Sequence, residues 1–289
     1  MRLALKCALQ NTVVAGRRIV PSVAPKPMNY TDLLRTLEAD GNGATLDLTP
    51  DWLQGRTAYG GWQAALALLA MRRVVGEAIP LRSLQANFIA PVPPGRVTAR
   101  AELLRQGKSA AQLEARIVID GPTAFTALGI FGAPRDSTIV ERPRAPLVRP
   151  AGECPALPFI PGVIPEFQRH FDMRWASGGL PFSGGAHGNA SIHVRYCDVP
   201  MASEAHLVCA ADAIPPSAIA MYRAPTPVSS MNWTLEMVRP LADAARDGWL
   251  RFDASLTAAG EGYGFETASI WSDDGELVAL SRQCVALFG

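Results

Sequence analysis

The feature that most constrains the fold is a repeat, because the same order of elements occurs in both halves of the 289 residues. An apolar run without Pro or Gly, from Trp62 to Val75, predicts a helix that is buried on most sides. A shorter helix is predicted from Glu204 to Ile214. Strand-like segments follow each helix, at 81–91, 96–105, 110–119 and 123–131 and at 229–240, 249–257, 264–272 and 276–288. A helix of this kind needs a cover, and a strongly curved sheet wrapped around it provides one.

The two halves also align with each other in sequence. Placing Pro91 on Pro240 aligns Leu84 with Trp233, and both halves end in a similar strand, Leu-Gly-Ile-Phe-Gly and Val-Ala-Leu-Phe-Gly. This is an internal repeat with a period of roughly 110 to 120 residues. The predicted fold class is therefore α+β, with two repeats of a central helix wrapped by a curved antiparallel sheet.

The repeat divides the chain into four segments. Residues 29–132 form the first unit and residues 166–289 the second. The Pro-rich residues 133–165 are expected to be a linker that lies extended over the surface. Residues 1–28 are basic, with no acidic residue, and we expect them to be a disordered extension outside the fold.

Two strands of the second unit are predicted in more detail. Large apolar side chains indicate one strand over Glu166–Ala176. The Ser229–Pro240 segment alternates in polarity, which places Met231 and Trp233 on the buried face and Ser230 on the opposite face.

Composition excludes several classes of partner. The net charge of +1 with dispersed charges gives no bulk attraction to nucleic acid. No apolar run approaches the roughly 20 residues that span a bilayer, so no stable membrane insertion is expected. The five cysteines are widely spaced and odd in number, which favours free thiols in the reducing cytoplasm. The histidines lack zinc-binding spacing, and we expect neither a metal nor a cofactor.

The sequence lacks the motifs of several other enzyme classes. There is no Gly-x-Ser-x-Gly, which argues against an α/β-hydrolase esterase. There is no aspartate followed six residues later by a histidine, a pairing that some hydratases use. Gly41 and Gly43 have no third glycine and do not join a strand to a helix, so a dinucleotide-binding fingerprint is absent.

A helix wrapped by a curved sheet, twice in one chain, resembles the double-hotdog fold, and the residues resemble the acyl-CoA thioesterase II family and its thioesterase-like relatives. The likeness runs from about Asn29 to the C-terminus. No single motif is very specific, but their order and spacing together are. The matching motifs are Ala58–Gly61, Phe88–Gly95, Ala210–Asp212, Ser229–Asn232, Val238–Leu241 and Gly275–Gln283.

The resemblance implies a site. The family is understood to position and activate a water molecule with an aspartate, a threonine or serine, and a glutamine. Carried over by position, these are Asp212, Ser230 and Gln283, with Asp212 suited to act as general base. Backbone N–H groups near the start of a helix are candidates to bind the oxyanion, either around Gly60–Gly61 or before Glu204.

Substrate contacts are predicted more coarsely. Gly60, Gly61 and Trp233 are predicted to bind substrate, although Trp233 is equally suited to the core. Arg72, Arg73 or Arg239 are candidates to bind the phosphates of CoA.

The resemblance thus predicts a thioester hydrolase that acts on acyl-CoA or a related thioester. Two alternatives remain open. One is a tailoring thioesterase or acyltransferase that acts on carrier-bound acyl chains, and the other is an inactive acyl-CoA-binding protein. A homo-oligomer is expected, because hotdog sheets leave edges and faces to cover.

Overall fold

In the computed structural model, residues 27–239 and 248–289 are described. Residues 1–26 of the predicted N-terminal extension lie outside this range. Pro240, which anchored the alignment of the two halves, also lies outside it. Within the described residues, no helix has the length and hydrophobicity that a membrane-spanning segment needs.

Each unit contains one core helix and a set of strands. The first unit has α1 (Tyr30–Arg35), β1 (Glu38–Asp40), β2 (Gly43–Leu48), β3 (Leu53–Gln54), β4 (Thr57–Ala58), α2 (Gly60–Val75), β5 (Leu81–Phe88), β6 (Gly95–Gln106), β7 (Ala110–Val118) and β8 (Thr123–Gly132). The second unit has β9 (Phe171–Gly178), β10 (Ala190–Tyr196), α3 (Glu204–Ala210), β11 (Val228–Met237), β12 (Leu250–Gly260), β13 (Tyr263–Ser272) and β14 (Leu277–Leu287).

The strands of both units form one antiparallel sheet. Among the described residues its order is β1-β2-β6-β7-β8-β5-β11-β14-β13-β12-β10-β9. The units join where β5 pairs with β11, with Leu84 opposite Leu235 and Ala86 opposite Trp233. The predicted α+β architecture, two helices wrapped by a curved antiparallel sheet, is confirmed.

The two core helices lie antiparallel and are joined at both ends. Their buried positions are rich in alanine and leucine, so the backbones approach closely while the leucines fill the core. At one end the Arg72 guanidinium contacts the Glu204 carboxylate at 2.6 Å. At the other end the Tyr59 hydroxyl donates to the Cys209 carbonyl oxygen at 2.6 Å. These contacts bring the end of α3 beside the beginning of α2.

The predicted strand over Glu166–Ala176 is wrong in its first part. Glu166–His170 is a 3₁₀ helix, and β9 begins only at Phe171. Proline at 165 followed by an acidic residue favours the start of a helical turn. The turn places the Phe167 ring against the Tyr59 ring, with centroids 3.9 Å apart.

The predicted alternation of β11 is interrupted at Met231. Ser230 pairs with Val285 and Asn232 with Cys284, so Met231 is the extra residue of a β-bulge and its side chain is exposed. The bulge moves Ser230 from the predicted outer face to the inner face. Ser230 therefore shares a face with Trp233, which strict alternation forbids.

Residues 133–165 run along the second unit. Isolated bridges join Arg144 to Glu276 and Ala156 to Arg174, and Ala151–Glu153 forms a 3₁₀ turn. Further hydrogen bonds supplement the two bridges, so the segment is held against the second unit at several points.

Candidate active site

Asp212 lies just after α3, where the chain leaves the helix toward two prolines. The backbone N–H of Gly61 donates a hydrogen bond to its carboxylate. A Cβ added at Gly60 would lie 2.5 Å from Asp212 Oδ2, so only glycine permits this approach. The carboxylate thus lies at the start of α2, where the helix dipole favours negative charge.

Gly61 is required for a second close approach. A Cβ at this position would lie 2.3 Å from the Cys209 carbonyl oxygen and 2.7 Å from the Tyr59 hydroxyl. The pair of glycines therefore allows two helix ends from different units to touch.

Gln283 connects the other two predicted residues. Its Nε2 donates to Asp212 Oδ1 at 3.1 Å and to Ser230 Oγ at 3.0 Å. Gln283 pairs with Trp233 across β11 and β14, so its side chain points to the inner face. Ser230 meets it there because of the bulge at Met231. The structure thus brings all three residues into one hydrogen-bonded group.

The Asp212 carboxyl is in an unusual electrostatic environment. Burial raises its pKa from 3.8 to about 7, although hydrogen bonds from Gln283 and the Gly61 N–H act in the opposite direction. A carboxylate with a pKa near neutrality accepts protons better than an ordinary surface aspartate. The group is therefore suited to general-base chemistry at neutral pH.

An open cleft reaches Asp212 from solvent. Its volume is about 300 Å³, and both units contribute to its wall. Gly60, Asp212 and Ser230 lie at its base, and the short β3–β4 hairpin and the end of β5 form its sides. The lining residues also include Gln54, Arg56, Thr57, Gln63, Phe88 and Ile89.

A smaller inner cavity lies on the other side of Asp212. Its volume is about 30 Å³, and Asp212, Gln283 and Trp233 contribute to its wall. Trp233 is 1% exposed, and its indole N–H donates to Ser281 Oγ at 2.8 Å. Trp233, predicted to contact substrate, therefore lines the smaller cavity and not the larger cleft.

The three arginines predicted to bind CoA phosphates do not line the cleft. Arg72 and Arg73 lie in the last turn of α2, which has 16 residues, so they lie about 20 Å from its first turn. Arg72 also bonds to Glu204, and Arg239 contacts Glu276 at 3.0 Å. Arg72 and Arg239 are therefore engaged in ion pairs away from the cleft.

Arg56 is the cation that the sequence prediction missed. It lies in the turn of the β3–β4 hairpin, is exposed, and is the one cationic residue among those that line the cleft. A usable signal was present, since Gly55–Arg56 forms a turn three residues before the Tyr59–Gly60–Gly61 motif.

The described residues contain no cluster of three or more His, Cys, Asp or Glu side chains placed to bind a metal ion. The polar groups of the site are therefore the carboxylate, hydroxyl and carboxamide described above, with the backbone at the start of α2.

Family models match most of the chain. The model of the acyl-CoA thioesterase N-terminal domain matches residues 48–132, and that of the acyl-CoA thioesterase C-terminal domain matches residues 151–287. The chain therefore belongs to the acyl-CoA thioesterase family. A comparison with curated proteins found no match.

Solved structures with the same fold cover nearly all of the chain. A conserved protein of unknown function with hot dog fold from Alicyclobacillus acidocaldarius has a TM-score of 0.81 and 22% identity, over 91% of this chain and 99% of that one. The acyl-CoA thioesterase II TesB2 from Mycobacterium marinum has a TM-score of 0.68 and 20% identity, over 88% and 96%. These likenesses establish the predicted double-hotdog fold.

We expect Gly61→Ala to disrupt the contact between the helix ends. The added methyl group overlaps the Cys209 carbonyl oxygen, and overpacking of this kind costs about 1–3 kcal/mol. Thermal unfolding should show a melting temperature lower by about 3–10 °C. The matched control is Gly152→Ala, whose Cβ would have no neighbour within 4 Å. Equal melting temperatures for the two variants would contradict this account.

Proposed function

We propose that this protein hydrolyses acyl-CoA thioesters to a free acid and CoA, with a water molecule activated by Asp212. The observation that carries the proposal is the hydrogen-bonded group of Asp212, Ser230 and Gln283 at the base of the cleft. Membership of the acyl-CoA thioesterase family supports the same reaction.

Each polar group has a distinct role in the proposed mechanism. Asp212 takes a proton from the water molecule while the water oxygen attacks the thioester carbonyl carbon. Gln283 uses both amide hydrogens, on Asp212 and Ser230, and so fixes the orientation of both acceptors. The Ser230 hydroxyl then has its own hydrogen available for the oxygen of the water molecule. This arrangement holds the water in line for attack.

The start of α2 stabilises the negative charge that forms on the carbonyl oxygen. Gly60 lines the cleft, and its backbone N–H belongs to the first turn of the helix. When the tetrahedral intermediate collapses, the carbon–sulfur bond breaks and the thiolate leaves. The proton held by Asp212 returns to the sulfur, which restores the carboxylate. The first turn of α3, the other candidate, lies at the opposite end of the helix pair beside Arg72.

The open cleft suits the CoA arm of the substrate. A pantetheine arm must extend from the reacting carbonyl to solvent, and the cleft connects Asp212 with solvent. Arg56 at its wall offers a planar cation with no ion pair to another described residue. A guanidinium binds phosphate oxygens well. We therefore propose that Arg56 contacts a phosphate of CoA.

Removing the proposed base should greatly reduce turnover. We expect Asp212→Asn to lower kcat/KM for acyl-CoA by about 10²–10⁴-fold, because the amide cannot accept the proton of the water molecule. Gln283→Ala should lower it by a smaller factor, since the base stays but its orientation is lost. The measurement is release of CoA, followed with a thiol-trapping reagent, and Asp136→Asn in the exposed linker is the control. Unchanged release by Asp212→Asn would refute the mechanism, and tight binding without release by the natural protein would refute hydrolysis.

The reaction should depend on pH through Asp212. Only the ionised carboxylate can act as a base, so kcat/KM should rise with pH and level off above about 7. The residual activity of Asp212→Asn should lack this inflection. A natural protein with a flat profile between pH 5 and 8, or a variant that keeps the inflection, would show that another group is titrated.

Arg56→Ala should weaken binding of the phosphate-bearing arm. We expect KM for acyl-CoA to rise about 10-fold with little change in kcat, since one charge-assisted contact is worth about 1.4 kcal/mol. The same acyl group on N-acetylcysteamine, which has no phosphate, should be hydrolysed equally by both proteins. Arg73→Ala, an exposed arginine at the far end of α2, is the matched control. Equal losses with both substrates would exclude a phosphate contact.

A further inference from the structure

Glu266 is a buried carboxylate that the proposed mechanism does not use. It lies on β13, is 7% exposed, and has no ion pair to another described residue. Its two oxygens accept hydrogen bonds from the backbone N–H groups of Ser217 at 2.9 Å and Ala218 at 3.1 Å. Burial raises its pKa, and these two bonds act in the opposite direction. A buried acid held only by backbone amides fixes the segment that carries those amides.

The segment that Glu266 holds begins five residues after Asp212. Ser217–Met221 is a 3₁₀ helix that follows Pro215 and Pro216. Glu266 also lies directly opposite Gln283 in the pairing of β13 with β14. Glu266, Gln283 and Asp212 all line the inner cavity.

Beside the inner cavity lies another small cavity, of about 10 Å³. Its lining is largely apolar and includes Trp175, Ile192 and Ile219. The two cavities share Pro215, Ser217 and Ala254 as lining residues, so these residues form the partition between them. Glu266 binds one residue of this partition directly, through the backbone N–H of Ser217, and binds the next residue, Ala218, in the same way.

The position of the inner cavity suits the acyl tail of a substrate. With the CoA arm in the open cleft and the carbonyl carbon beside Asp212, the acyl tail continues on the other side of Asp212. The inner cavity of about 30 Å³ has room for roughly two or three heavy atoms. An acyl tail longer than this meets the partition.

We propose that the inner cavity receives the acyl tail and that Glu266 is a specificity-determining residue, which holds the partition closed and restricts the substrate to short acyl chains of about four carbons or fewer. The inference rests on the proposed function, since it assigns the substrate class of the same site. Glu266 acts through the backbone of Ser217 and Ala218 and is not a catalytic residue.

The test compares acyl-CoAs of increasing length, from acetyl-CoA through butyryl-CoA to decanoyl-CoA. For the natural protein we expect kcat/KM to fall at least about 10-fold between four and eight carbons. Glu266→Gln replaces one acceptor oxygen with an amide that faces a backbone N–H, and this should release the partition. The ratio of octanoyl-CoA to butyryl-CoA activity should then rise about 10-fold. Glu236→Gln, an exposed glutamate on β11, is the matched control.

A second variant tests the inference on chain length if Glu266→Gln does not fold. Ala254 is 5% exposed and lines the inner cavity, so Ala254→Val makes the cavity smaller. Butyryl-CoA activity should fall about 10-fold relative to acetyl-CoA activity, and the melting temperature shows that the variant is folded.

A natural protein that hydrolyses decanoyl-CoA as well as butyryl-CoA would overturn the inference and leave the proposed function intact. Unchanged activity ratios between chain lengths in both folded variants would do the same. Absence of hydrolysis at every length would overturn both.

Discussion

The site depends on one contact, the approach of the end of α3 to the start of α2. Gly60 and Gly61 allow it because any side chain there overlaps Asp212 or the Cys209 carbonyl oxygen. The burial of Asp212 at this contact lowers the stability of the folded state at neutral pH. The folded protein holds the Asp212 proton to a pKa of about 7, against 3.8 for an ordinary aspartate. The folded state therefore binds more protons than the unfolded state between these values, and stability falls as pH rises from about 4 to about 7. This loss of stability is the counterpart of a base that works near neutrality.

Duplication explains why one chain can form such a site. The carboxylate, hydroxyl and carboxamide come from the second unit, whereas the glycines and the helix N-terminus come from the first. The two units differ in the length of the core helix, since α2 has 16 residues and α3 has 7. The early end of α3 creates the turn that carries Asp212. In the sequence alignment, the first unit has Leu81 opposite Ser230 and Thr126 opposite Gln283. It therefore lacks the same polar group.

Much of this arrangement could be predicted from the sequence, because periodicity and motif order are properties of the chain alone. Periodicity identified α2 and most of the strands, and the resemblance to the acyl-CoA thioesterase II family implied the three residues that meet. The position of Ser230 could not be predicted correctly, since the bulge at Met231 arises from pairing with β14, more than 50 residues away in sequence. Arg56, the proposed phosphate contact, was not predicted, because its only signal in the sequence is a turn and not a periodic pattern. Glu266 does have a periodic signal, because it lies on the buried face of its strand with Ala268 and Ile270.

The carboxylates of Asp212 and Glu266 line the same inner cavity. Their proposed roles differ because water and substrate can reach Asp212 from the cleft, and not because the two differ in acidity. Burial raises the pKa of both Asp212 and Glu266. Asp212 also lies at the base of the open cleft, where water and a thioester can reach it. Glu266 lines the smaller cavity and not the cleft, and its oxygens accept hydrogen bonds from the backbone N–H groups of Ser217 and Ala218. The fold thus places the proposed base between the cleft and the smaller cavity. In the proposed mechanism, water reaches this base from the cleft, and the smaller cavity receives the acyl tail.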